Sequence, residues 1–134
     1  MLISKECDYA VRIVREIANG GRRSASDIAR NENIPGQFAY KILNKLEKSG
    51  IVRAFRGAAG GYELAKDTSA FSLYDVFCAI EGRLILTSCL QSGFNCPMNR
   101  GASPCCVHTE FVRLQEMLVA GLKEKTVSEV LDLT

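Results

Sequence analysis

Ile34-Pro35-Gly36-Gln37-Phe38-Ala39-Tyr40-Lys41-Ile42-Leu43-Asn44-Lys45-Leu46-Glu47-Lys48-Ser49-Gly50-Ile51-Val52-Arg53-Ala54-Phe55-Arg56-Gly57-Ala58-Ala59-Gly60-Gly61-Tyr62-Glu63-Leu64 has the pattern of a helix followed by a hairpin. Pro35 marks a break before a new start. Phe38, Ala39, Ile42, Leu43 and Leu46 then recur at spacings of three and four, which predicts a helix over about Gln37 to Ser49 with those side chains inward. Gln37, Tyr40, Lys41, Asn44, Lys45 and Lys48 are left on its outer face. Gly50 is placed to end the helix in a left-handed conformation. Ile51 to Phe55 and Tyr62 to Leu64 read as two short strands around Arg56-Gly57-Ala58-Ala59-Gly60-Gly61, a loop longer than the minimal hairpin turn.

Upstream of this run, Ala10, Ile13, Val14 and Ile17 share one face of a helix over Tyr9 to Ala18, and Gly20-Gly21 stops it. Ser24 or Ser26 caps a second helix through Asn31, with Ala25, Ile28 and Ala29 inward. Three helices and a β-hairpin in this order make a winged helix-turn-helix. Downstream, a polar joint at Asp67 to Ser69 leads to Ser72, which caps a helix to about Glu81 with Leu73, Val76, Phe77 and Ile80 on its apolar face. Leu84 to Cys89 reads as extended. Gln91 to Pro104 shows no period of 2 or 3.6, so it is a loop, and a loop of that length is commonly functional. Cys106 to Lys123 is the longest helix, with Val107, Phe111, Leu114, Leu118 and Leu122 in one stripe that Val112 and Val119 widen. So wide a stripe predicts a two-fold contact with the same helix of a second subunit. The expected fold is mainly α with a small β-hairpin: a winged helix-turn-helix domain over residues 1–66, then a cysteine loop and a long C-terminal dimerisation helix over residues 67–134.

The composition sets limits on function. With 134 residues, 47% hydrophobic and 24% charged, the chain can form one packed domain or a small domain with a helical appendage, and a large two-lobed enzyme is excluded. No apolar run approaches the roughly 18 residues that cross a bilayer, so the expectation is a cytoplasmic protein with no membrane partner. In that compartment the six cysteines read more readily as metal ligands, redox groups or small core residues than as structural disulfides. The net charge of +2 conceals an asymmetry: residues 1–66 hold 12 Lys and Arg against 7 Asp and Glu, whereas residues 67–134 hold 5 against 8. The front half alone is suited to a polyanion.

The outer face of the third helix carries what a major groove requires. Gln37, Tyr40 and Asn44 can hydrogen-bond base edges, and Lys41, Lys45 and Lys48 can neutralise phosphates. Arg56 and Gly57 open a flexible loop that can enter an adjacent minor groove, where a guanidinium senses width and negative potential. Double-stranded operator DNA is the expected partner. The Gly-rich loop is not a phosphate cradle of the nucleotide-binding kind, since it lacks the P-loop lysine and the following helix. No nucleophile, base and orienting group fall into a catalytic set, so an enzyme is not expected.

The run from Ile34-Pro35 through Tyr40-Lys41-Ile42-Leu43, Leu46 and Ser49-Gly50-Ile51-Val52 to Arg56-Gly57, Gly60-Gly61-Tyr62 and Leu64-Ala65, together with Tyr9-Ala10, resembles the IscR/NsrR family of bacterial winged-helix transcription regulators. The resemblance covers essentially the whole chain. It implies a homodimer on a palindromic operator, with the long C-terminal helices at the dimer interface.

Cys89, Cys96 and Cys105 fall in or beside the one aperiodic loop, and His108 follows shortly after. Soft thiolates on a flexible segment can converge on one metal centre, and an imidazole can complete the set. Structural zinc favours tighter cysteine knuckles, so these wider intervals lean toward an iron-sulfur cluster, [2Fe-2S] or [4Fe-4S], without excluding zinc. The resemblance points the same way, because cluster-sensing members of the family carry three cysteines in this segment; the last interval here is somewhat longer. Cys105 and Cys106 are adjacent, and Cys105 is preferred because Cys105-Cys106-Val107-His108 matches the family's Cys-x2-His ending. The fourth ligand is His108 or, as some family members imply, Asp8 of the partner subunit. Cys78 reads as a core residue, and Cys7 as incidental or a substitute ligand. The expected function is a repressor that senses iron-sulfur status, nitric oxide or redox poise; the rivals are a thiol-switch or zinc regulator, or one acting through a protein partner.

Overall fold

In the computed structural model, which describes residues 3–98 and 104–132, the chain opens with α1 at Lys5–Gly20, four residues earlier than periodicity alone indicates. The earlier start has a local cause: Ser4 Oγ accepts the Cys7 N–H at 3.2 Å and caps the first turn. Cys7, expected to be incidental, is therefore on the inner face and 1% exposed. Ser24, not Ser26, caps α2 at Ala25–Asn31 by accepting the Asp27 N–H. Pro35 then leads into α3 at Gly36–Lys48.

Ile13, Ile28, Ile42, Leu43, Leu46, Ile51 and Val52 are fully enclosed where these helices meet. Each such side chain contributes roughly 1.5–3 kcal/mol on burial, so the inner face of α3 is firmly seated and its outer face is held at a fixed angle. Phe38 departs from the expectation. It is 37% exposed, because its ring rests 6.2 Å from Tyr9 of α1 at the edge of the core.

After Gly50, at φ +82°, the chain forms β1 at Val52–Phe55 and β2 at Gly61–Leu64, antiparallel with Val52 opposite Leu64 and Phe55 opposite Gly61. Arg23 extends the hairpin as a short third rung, donating to the Tyr62 carbonyl at 3.0 Å and accepting from the Tyr62 N–H at 2.7 Å. Gly61 is required there: its φ is +136°, and a Cβ would lie 2.6 Å from the Arg23 carbonyl oxygen.

Helix α4 at Leu73–Glu81 begins with a capping box between Ser72 and Asp75 and buries Val76, Phe77 and Ile80 in the core shared with α1 and α3. Cys78, expected in that core, is only half-buried at its edge. The stretch read as extended before Cys89 ends in a 3₁₀ turn at Ser88–Leu90. The loop reading for 91–104 holds for its described part, and residues 99–103 lie outside the described residues. Helix α5 at Cys106–Glu124 is 19 residues long. A short α6 at Val127–Val130, not anticipated, brings the chain back: the Val127 N–H donates to the Phe71 carbonyl at 2.8 Å, and Val127 is 2% exposed.

Candidate nucleic-acid interface and cysteine loop

One surface of the head is built from α3 and the hairpin. Gln37, Tyr40 and Asn44 are exposed on α3, and Tyr40 is 53% accessible despite its aromatic ring. A cavity of about 570 Å³ lies between Tyr40 and the hairpin, bounded by Tyr40, Glu47, Phe55, Arg56, Gly57 and Tyr62. Burial, with Glu47 and Tyr40 nearby, pushes the Tyr62 phenol above its ordinary pKa, so it remains a neutral donor beside this cavity. Arg56 and Gly57 are exposed at the tip, where Gly57 takes φ +94° and its carbonyl accepts the Gly60 N–H at 2.9 Å.

The lysines are arranged less simply than periodicity suggests. Lys41 and Lys45 both reach Glu6 of α1, donating to Oε1 at 2.7 Å and to Oε2 at 2.9 Å, and Lys45 also donates to the Ile80 carbonyl at 3.3 Å. Lys41 hydrogen bonding, then Lys45, holds the Glu6 carboxyl below its ordinary pKa. Glu6 lies more than thirty residues away in sequence, so no spacing rule could have paired it with α3.

Arg22 was also missed. Its guanidinium lies 3.5 Å over the Phe55 ring, donates to the Ala59 carbonyl at 3.1 Å and pairs with Glu63, bracing both sides of the hairpin. In the sequence Arg22-Arg23 directly follows the glycine stop and reads only as charge.

The cysteine loop lies on the other half of the chain. Cys89 is half-buried in the 3₁₀ turn, Cys96 is half-buried in the irregular stretch, Cys105 caps α5 and is half-buried, and Cys106 is exposed as the first residue of that helix. The Cys105 carbonyl accepts from the Thr109 N–H at 3.1 Å and the Thr109 hydroxyl at 3.2 Å. His108 is half-buried in the first turn of α5. Among the described residues no three His, Cys, Asp or Glu side chains are gathered closely enough to hold a metal ion. Asp8 is on the surface of α1, 3.0 Å from Arg12, whose guanidinium also donates to the Glu32 carbonyl.

The donor set nonetheless fits a soft centre in chemistry. Cys89, Cys96, Cys105 and His108 are all partly accessible, and thiolate sulfur with imidazole nitrogen is a soft donor set. Gln115 clips the irregular segment that leads into the loop onto α5: its side chain accepts the Leu86 N–H at 2.7 Å and donates to the Leu84 carbonyl.

Helix α5 itself is unusual. None of its residues is buried, and Val107, Leu114 and Met117 are 53%, 36% and 58% exposed. No described helix is long and apolar enough to cross a membrane.

The family model for Rrf2, described as an iron-dependent transcriptional regulator, matches residues 3–133. The protein aau3 of Rhizobium meliloti is 32% identical over 73% of the chain and 66% of its own length. The HTH-type transcriptional regulator IscR of Yersinia pseudotuberculosis is 28% identical over 98% of the chain and 80% of its own. The chain spans less than two thirds of the length of the curated relatives it matches first. The fold is shared with T. potens IscR, at TM-score 0.75 and 21% identity over 97% of this chain and 85% of that one. It is also shared with CymR, the global cysteine regulator of B. subtilis, at TM-score 0.74 and 22% identity over 98% of this chain and 97% of that one. IscR and CymR are named as regulators, and the chain belongs to the Rrf2 family of transcriptional regulators.

Proposed function

We propose that this chain acts as a homodimeric repressor whose cysteine loop carries an iron-sulfur cluster, [2Fe-2S] or [4Fe-4S], and reports its presence as a change in operator affinity. The observation that supports the reading is the accessibility of the donors: Cys89, Cys96 and Cys105 are half-buried rather than sealed in the core, and Cys105 stands at the start of α5, the helix with an apolar surface and no buried residue. Cys89, Cys96 and Cys105 are the thiolate ligands, and His108 or Asp8 of the partner subunit completes the set. Such a cluster supplies a centre that reacts with oxidants and nitric oxide and is tuned by its one non-thiolate ligand.

The rest follows from the chain's own residues. Val107, Leu114 and Met117 meet their copies in an isologous contact and set the separation of the two α3 helices. In each head Gln37, Tyr40 and Asn44 read base edges, Lys41, Lys45 and Lys48 hold phosphates, and Arg56 with Gly57 enters the minor groove. Gln115 links the segment before Cys89 to α5, so ordering of the loop shifts the dimer helix and with it the half-site spacing.

The test compares anaerobically purified protein with and without bound iron and sulfide, measuring affinity for the duplex upstream of its own coding sequence. A change of roughly tenfold or more is expected, the usual scale of allosteric coupling. Equal affinity in the two forms contradicts the reading. The adjacent Cys105 and Cys106 favour a second reading, a thiol switch or zinc site, which would leave colourless protein that responds to oxidant or carries zinc.

A further inference from the structure

Glu6 is unaccounted for by the reading above. It contacts no expected ligand, yet it is the single carboxylate that receives both Lys41 and Lys45. Its side chain is 23% exposed, against 55% for Lys41 and 34% for Lys45, so it lies beneath the lysines rather than beside them. The chelate is reinforced from α4, because Lys45 also donates to the Ile80 carbonyl at 3.3 Å. Two ammonium groups that would otherwise swing freely over a phosphate backbone are thus tethered, and most of one positive charge is cancelled.

We propose that Glu6 is a positioning residue for DNA recognition, restraining Lys41 and Lys45 so that the head binds non-specific duplex weakly and relies on base contacts from Gln37, Tyr40 and Asn44. Phosphate oxygens and the Glu6 carboxylate compete for the same N–H donors. On arbitrary DNA the lysines stay with Glu6. On a matched site, base contacts seat α3 deeply enough for phosphates to share them. The effect is a specificity ratio, since the non-specific term comes almost wholly from phosphate neutralisation. The inference rests on the reading that the outer face of α3 meets DNA.

The experiment measures binding of a scrambled duplex by fluorescence anisotropy across a salt series. It uses the full-length wild type, Glu6→Gln, Lys41→Gln with Lys45→Gln, and the triple variant. Freeing two lysines adds up to two phosphate contacts, so the slope of log affinity against log salt for Glu6→Gln steepens by about 0.9 to 1.8. The triple variant returns to the slope of the lysine double variant. Thermal unfolding confirms that each protein is folded, and a Lys41→Gln, Lys45→Gln background that removes the Glu6→Gln effect excludes a merely structural role.

An unchanged slope in folded Glu6→Gln overturns the proposal, as does a steeper slope that persists in the triple variant. The reading of the α3 surface is judged separately by Tyr40→Ala and Arg56→Ala on the duplex upstream of the coding sequence. If those two weaken binding while Glu6→Gln does nothing, the surface stands and the role of Glu6 falls. If they too leave binding intact, the surface itself is misassigned.

Discussion

At single positions the structure shows where a small change has a large effect. Gly61→Ala places a methyl against the Arg23 carbonyl in a backbone region that side chains rarely adopt. A loss of about 2 kcal/mol or more is expected in urea unfolding, with weaker DNA binding as the hairpin loosens. Arg56→Ala removes an exposed cation from the tip of the hairpin without touching the core. Stability should be unchanged, while DNA affinity falls and the salt slope decreases by about 0.9. Glu6 gives a pH prediction. Its folded pKa lies below the unfolded one, so its ion pairs stabilise the protein above the ordinary carboxylate range, and that contribution is lost as pH falls through the folded value. The stability difference between wild type and Glu6→Gln should be largest at neutral pH, on the order of 1 kcal/mol given the exposure of the lysines, and should vanish in acid.

Among the elements, those carried by local periodicity were legible beforehand. Ile42, Leu43 and Leu46 define α3 unaided, and Ser72 marks the start of α4. What escaped depends on distant neighbours. Phe38 has the spacing of a core residue but meets Tyr9 at the surface. Cys7 gave no signal because the first turn of α1 is set by the cap at Ser4, and its thiol, pushed up by burial, also donates to Glu81 at 3.6 Å. Helix α6 is a single turn, too short for any period, yet it buries Val127 between the start of α4 and the body. Val127→Ala should cost about 2 kcal/mol, read as a lowered urea midpoint with an unchanged slope. The cysteine positions were visible in sequence, but the clip between Gln115 and the segment before Cys89 was not, since it spans about thirty residues.

For the whole molecule, the head and the cysteine loop are joined by α4 and α5, and α5 has an apolar surface with nothing buried. If that surface pairs with its copy, replacing Leu114 and Met117 together by Asp should convert the dimer to monomer in sedimentation velocity. Operator affinity should fall steeply, because two half-sites then bind independently. The central claim is that the cysteine loop holds an inorganic centre. The most direct measurement is the iron and acid-labile sulfide content of anaerobically purified and reconstituted protein, wild type beside Cys96→Ala. Stoichiometric iron and sulfide in the wild type, lost in a folded Cys96→Ala, is the predicted result. Wild type without either, or Cys96→Ala retaining both, would contradict the account.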